Sequence, residues 1–217
     1  MKHVIILNAS PRKTCNTAQL LQQAQKGAES VGATTEYINL YDLKFTGCRS
    51  CLACKRRGMQ RNKCYWPDDL SPLIEKIFHS HAVIIGTPVY MGGPSAHFHA
   101  LYERLGFCTL SYDDRSSYLN RPVNVGLLYT MNAPRNYYES AMRPAFQPIE
   151  QGYKHLLKGQ VEVYACCDTL QVPDYTQYNM AIFDPIHKQE EHKIQFPKDL
   201  QHAFEMGKKL TEIEGID

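Results

Sequence analysis

Two runs of the chain are apolar without alternation, VIIL at 4–7 and AVIIGT at 82–87. A short β-branched run that is apolar on both faces predicts a central strand of a parallel sheet, covered on both sides. Three further strands are predicted at 34–40 (TTEYINL), 123–130 (VNVGLLYT) and 161–167 (VEVYACC). Helical patterns lie between them. The first, AQLLQQAQKGAESVG, follows Asn16 or Thr17 as N-cap; the second opens at Asp68-Asp69. A third carries Phe98, Leu101, Tyr102 and Leu105 at helical spacing, with Pro94 in its first turn. After the turn MNAPR, Pro144 and Pro148 predict a break or restart in helical sequence, and PKDLQHAFEMGKKLTEIE closes the chain as an amphipathic helix.

Strands alternating with helices predict an α/β fold with a parallel sheet between two helical layers. In a five-stranded sheet of order 2-1-3-4-5, ligands bind at the carboxyl ends of strands one and three, where the winding reverses. The loops 8–16, 87–94 and 130–136 end at that edge. The first brings Ser10, Arg12, Asn16 and Thr17 to a helix N-terminus, whose unpaired N–H groups suit a phosphate dianion. It has neither the Gly-x-x-x-x-Gly-Lys-Ser/Thr nor the Gly-x-Gly-x-x-Gly pattern. The second offers Pro88, Val89, Tyr90, Met91, Gly92 and Gly93, a flat aromatic beside glycines that admit a planar ring. The third offers Thr130, Met131 and Asn132 for one end of that ring. A phosphate socket beside a heterocycle slot suggests a mononucleotide, with FMN the natural occupant. The bland alternatives are a plain strand-to-helix turn and a Tyr90 that only packs.

LNASPRKTCNT, TPVYMGGPSA and the cysteine segment ending in KCYWPDDLSPLIEKI resemble the flavodoxin-like NAD(P)H-dependent FMN reductase family, including its iron–sulfur flavoprotein relatives. The resemblance is dense in the first half of the chain and thin in the second. It implies a flavodoxin-like three-layer sandwich. It also implies that Ser10, Arg12, Asn16 and Thr17 hold the FMN phosphate and that Pro88 to Gly93 lie along the isoalloxazine ring, with NAD(P)H as donor. Cys15 stands where the family pattern has Gly. Hydride transfer is the cofactors' own chemistry, so no side chain is assigned as acid or base.

Eight cysteines change the picture, because four fall in one loop as Cys48-x2-Cys51-x2-Cys54-x9-Cys64. This spacing resembles ferredoxin-type ligation, although the last gap is longer than in iron–sulfur flavoproteins. A [4Fe–4S] cluster, a zinc ion and free or redox-active thiols all stay open as its content. The inserted KRRGMQRNK would offset an anionic cluster, attract NAD(P)H phosphates or form a solvated loop. Cys108, Cys166 and Cys167 read as small core residues, and His97 and His99, two apart on a helix, as unsuited to one metal.

The 217 residues carry no linker, repeat or low-complexity tract, which predicts one domain over 1–217 with a cysteine-rich insertion at 44–67 and an extended arm at 168–197. The net charge of +2 implies neither a nucleic-acid nor a membrane partner. The N-terminus enters a short strand without an export segment, so a cytoplasmic protein is expected. The irregular arm is expected to wrap a second subunit in a dimer or tetramer. Tyr112, Tyr118, Tyr175 and Tyr178 would cover either a flavin or a subunit seam. Three classes compete: a reductase delivering to a flavin, quinone or other small acceptor, a carrier passing single electrons to redox proteins, and an FMN- or zinc-holding module without turnover.

Overall fold

The structure is a computed structural model that describes residues 2–213, so the predicted end of the closing helix at Glu214 lies outside the described residues. In chain order the elements are β1 (His3–Asn8), α1 (Asn16–Ser30), β2 (Thr34–Asn39), α2 (Leu70–His79), β3 (Ala82–Tyr90), β4 (Gly93–Pro94) and α3 (Ala96–Thr109). They continue as β5 (Val123–Thr130), α4 (Arg135–Tyr137), α5 (Arg143–Leu157), β6 (Lys158–Cys166), α6 (Pro185–Ile194) and α7 (Phe196–Glu212). The sheet runs β2-β1-β3-β5-β6, with β4 paired only to β3. Counting the five long strands alone, this is the expected 2-1-3-4-5 order of a flavodoxin-like fold, and all five pair in parallel.

The two apolar runs lie side by side at the centre, with Ile6 level with Ile84 and Ile84 level with Gly126. Val4 to Leu7 and Ala82 to Ile85 are wholly buried, as a strand covered on both faces requires. Alternate residues face opposite layers. Ile5, Leu7, Val83, Ile85, Val125 and Leu127 join a core with Leu73 and Ile77 of α2, Phe98 and Leu101 of α3, and Phe146 and Tyr153 of α5. Val4, Ile6, Ile84 and Leu128 join a second core with Leu20, Leu21 and Ala24 of α1 and Ala203, Met206 and Leu210 of α7. Helices α1 and α7 approach through glycines. A Cβ on Gly27 would lie 2.0 Å from the Phe204 carbonyl oxygen, and one on Gly207 would lie 1.9 Å from that of Ala24.

Several local expectations change. The N-cap of α1 is Cys15, and no side chain caps the helix. Pro94 lies in the hairpin strand β4, and Ser95 instead caps α3, accepting a bond from the Phe98 amide at 3.4 Å. Pro144 falls in the first turn of α5, where the helix restarts as expected, but Pro148 does not break it. A π-helical turn at Tyr138–Met142 widens the winding just before Pro144, where a regular turn would drive the proline ring into the carbonyl four residues back. Pro148 stays inside α5 with one hydrogen bond fewer, the helix being held by its buried Phe146, Tyr153, Leu156 and Leu157. The arm is not extended throughout, because α6 occupies Pro185–Ile194 behind an Asp184 side chain that accepts from the Ile186 and His187 amides. Among the described residues no helix is long and apolar enough to cross a membrane.

The glycine contact between α1 and α7 makes a measurable prediction. Gly207→Ala would by helix propensity alone stabilise by about 1 kcal/mol. Here the added methyl meets backbone, so a net loss of about 1–3 kcal/mol is expected, read as a lower urea midpoint. Gly106→Ala, whose Cβ would sit at an ordinary 3.5 Å from Leu156, is the control and should leave or raise the midpoint.

Candidate functional site

The tips of β1 and β3 are tied to each other and to the start of α3. The Ala9 amide donates to the Gly86 carbonyl at 2.8 Å, and the Ser95 hydroxyl donates to the Ala9 carbonyl at 2.7 Å. The Ser95 amide in turn donates to the Thr87 hydroxyl at 3.0 Å. Within the first loop the Asn8 carboxamide accepts from the Ser10 amide at 3.0 Å, and the Ser10 hydroxyl accepts from the Arg12 amide at 3.1 Å. These two side-chain turns fold residues 8–12 tightly enough to present the start of α1.

Helix α1 begins uncapped. Its first backbone bond runs from Gln19 to the Cys15 carbonyl, so the amides of Asn16, Thr17 and Ala18 precede any acceptor in the helix. Cys15 takes φ −86° and ψ −170°, an extended conformation open to any residue, so glycine is not required there.

The sequence-predicted residues divide in the structure. Thr17 and Thr130 meet at the site, their hydroxyls 2.6 Å apart and buried. Tyr90, about half exposed, faces the first loop: burial raises its pKa, Tyr41 adds to the rise, and Arg12 opposes it. Tyr90 and Gly93 pair across a two-residue turn in which Met91 (φ 50°) and Gly92 (φ 82°) are both left-handed, as a type I′ hairpin demands. Met91 stands fully exposed at its tip, while Met131 turns into the core. The side chains of Arg12 and Asn16 are engaged by the arm, donating to the carbonyls of Gln171 at 2.8 Å and Leu170 at 2.9 Å. Asn132 donates to the Gln171 side chain at 2.8 Å, and its carboxamide oxygen is buried without a partner among the described residues. Asp168 and the buried Lys188, whose ammonium also reaches the Asn132 carbonyl at 2.7 Å, hold α6 against this edge.

Sequence reasoning missed an aromatic wall beside the hairpin. Tyr41 stacks on His97 at 3.7 Å, Phe45 meets His97 edge-on at 5.1 Å, and burial lowers the His97 pKa, favouring the neutral ring. The only sequence signal was the place of His97 in the first turn after the glycine hairpin.

A second feature lies at the far end of α3. Cys48, Cys51, Cys54 and Cys64 line one cavity of about 20 Å³ together with Cys108, Leu52, Trp66, Phe107 and Arg104. Cys108 is buried as expected of a core residue, yet it also completes this wall. Cys108 stands beside Cys54 and Cys64 in this wall. The Cys108 thiol is the main cause that lowers Cys64 to about 5, against burial, with help from the Trp66 amide, Ser71 and Arg104. The same neighbour lowers Cys54 to about 7, while the two sulfurs beside it, with burial, favour the neutral thiol at Cys108. Cys48 is raised, mainly by burial. The inserted basic residues mostly fasten the loop: Arg61 lies over Tyr118 at 4.9 Å and donates to the Cys54 carbonyl at 3.1 Å, and Lys55 lies over Tyr112 at 4.9 Å. Arg49 covers Trp66 at 4.9 Å and Lys63 pairs with Glu75 at 3.3 Å, leaving Arg56 and Arg57 exposed.

Comparison with known proteins follows this geometry. The model of the NADPH-dependent FMN reductase family matches residues 1–175. An iron–sulfur flavoprotein of Methanocaldococcus jannaschii is 36% identical over 101 residues, covering 46% of this chain and 50% of that protein. One of Methanosarcina thermophila is 29% identical over 98 residues, covering 45% and 49%. The chain thus spans about half the length of the curated relatives it matches. Among solved structures, an NAD(P)H:quinone oxidoreductase of Methanothermobacter marburgensis superposes with a TM-score of 0.71 at 18% identity over 98% of both chains. An FMN-dependent NADH-azoreductase of Bacillus anthracis, solved with FMN, gives 0.66 at 11% identity over 98% of this chain and 100% of that one. These likenesses show the flavodoxin-like fold. With the family pattern running through both the uncapped turn and the hairpin, the chain belongs to the NADPH-dependent FMN reductase family.

Proposed function

We propose that the protein is an FMN-dependent oxidoreductase that passes reducing equivalents from NAD(P)H through bound FMN to a flavin, quinone or other small acceptor. One observation carries this reading: the free amides at the start of α1 open beside the Tyr90 hairpin, with the unpartnered Asn132 oxygen at the same edge. The amides of Asn16 to Ala18 and the hydroxyls of Ser10 and Thr17 would hold the phosphate. Pro88 to Gly93 would lie along the ring, and the Asn132 oxygen would accept one of its donors. FMN, when bound, supplies the hydride acceptance, and the chain's own residues orient the rings. Arg12 and Asn16 meanwhile fasten the 170–171 segment over the phosphate turn.

The oligomer belongs to the same proposal. Ile182, Ile186 and Ile194 stand 87%, 70% and 63% exposed along the arm, an apolar stretch that a second copy would cover. Eight free cysteines fit a reducing, cytoplasmic setting.

A second reading rests on the five-cysteine cavity. We infer that Cys48, Cys51, Cys54 and Cys64 can hold an iron–sulfur cluster, which would make the protein an electron carrier; the matching relatives are named iron–sulfur flavoproteins. Four cysteine sulfurs walled by Leu52, Trp66 and Phe107 suit such a group chemically.

Asn16→Pro tests the first reading. Proline is tolerated at the first helical position and prefers an extended residue before it, which Cys15 already supplies, so the fold is kept while one phosphate-facing amide is removed. FMN affinity, read by fluorescence quenching, should fall about tenfold, the worth of roughly one charge-assisted hydrogen bond. Riboflavin affinity should not change, and Asn16→Ala separates the amide from the side chain. A wild-type protein that neither quenches FMN fluorescence nor oxidises NADH or NADPH would remove the proposal. For the second reading, anaerobically purified protein should carry about four iron and four acid-labile sulfide per chain, the content of one [4Fe–4S] group. Cys64→Ser should lose most of it, and an FMN-loaded sample free of iron leaves the reductase alone.

A further inference from the structure

Arg104 is a buried cation in the wall of the cysteine cavity, with its side chain 1% exposed. Each of its five N–H groups points at an acceptor. Nε donates to the Cys64 sulfur at 3.1 Å. Nη1 donates to the Thr46 carbonyl at 3.0 Å and to Asp68 at 2.8 Å, while Nη2 donates to the other Asp68 oxygen at 2.9 Å and to the Ser71 hydroxyl at 2.8 Å. Asp68 is itself fixed, because its carboxylate accepts from the Leu70 and Ser71 amides at the start of α2. The guanidinium therefore cannot turn. Its two-pronged pairing with Asp68 spends the fork and leaves Nε aimed at sulfur, a geometry that lysine does not reproduce.

A buried arginine–aspartate pair is costly to desolvate and adds little stability over apolar packing. This one joins α2, α3 and the cysteine loop at one sulfur atom. We propose that Arg104 is the positioning residue that fixes Cys64 as a sulfur ligand and sets the reduction potential of the metal–sulfur group in the cavity, with Asp68 holding the guanidinium in register. The proposal rests on the iron–sulfur reading above. The physics is electrostatic: an N–H bond and a positive charge at a ligand sulfur favour the reduced, more negative form of the group and raise its potential. Removing the bond lowers the potential. Removing the countercharge behind the guanidinium raises it.

The experiment is an anaerobic redox titration of the holoprotein followed by electron paramagnetic resonance, on wild type, Arg104→Lys and Asp68→Asn. Asparagine can still cap α2, so the second variant keeps the fold if the first does not. The expected result is unchanged iron content, a more negative cluster midpoint for Arg104→Lys, a more positive one for Asp68→Asn, and an unmoved flavin midpoint. Two variants that keep their iron and the wild-type midpoint would overturn the assignment. So would shifts of the same sign in both. If Arg104→Lys fails to fold, Asp68→Asn decides alone.

Should the wild type take up no iron, the iron–sulfur reading fails separately. The residue is then tested with Cd²⁺ on metal-free protein, by the thiolate charge-transfer absorption. Arg104→Lys should weaken Cd²⁺ binding about tenfold, and equal affinity, or no binding by the wild type, would refute the role of Arg104.

Discussion

The parallel ladder between β1 and β3 is the contact from which the rest of the molecule takes its positions. Both strands are buried on two faces and pair residue for residue, from Val4 beside Ala82 to Asn8 beside Gly86. Their ends therefore stop at a fixed level, and the bonds from Ala9 to Gly86 and from Ser95 to Ala9 carry that level into the loops. An uncapped helix start and a hairpin bend can face each other only because the strands beneath them are in register.

Helix α3 extends that control across the molecule. Ser95 at its beginning fastens two loops at the carboxyl edge of the sheet, while Arg104 and Cys108 near its end wall the cysteine cavity. From Ser95 to Cys108 the helix rises about 20 Å. The two candidate centres thus share one rigid rod instead of being joined by a loop. The wide insertion at 44–67 is held down by cation–aromatic contacts of its own, which explains how so irregular a segment keeps its sulfurs together.

What the sequence disclosed, and what it hid, follows from the range of the interactions involved. The central strands were legible because burial on both faces leaves a local, unmistakable composition. The strand order and the three loops at the carboxyl edge followed from the alternation of elements. The helix through Pro148 was not legible: the local signal is a break, and only the buried Phe146 and Tyr153, packed against residues far away in the chain, outweigh it. The cysteine spacing showed four sulfurs. The fifth came from α3, more than forty residues on, where Cys108 looks like any small core residue until the fold brings it to Cys54 and Cys64. Arg12 and Asn16 were expected from the resemblance to hold a phosphate; the bonds they make to the Gln171 and Leu170 carbonyls are a long-range use that no local pattern announces.

The close seating of α7 on α1 carries one more consequence. The family pattern ends at residue 175, yet Ala203, Met206 and Leu210 of α7, which pack against α1 and cover β5 and β6, lie beyond it. Cut back to residue 175, the chain would leave the inner flank of α1 and the β5–β6 end of the sheet bare on that side. The segment that carries the family pattern thus relies in this protein on a helix outside it to seat α1.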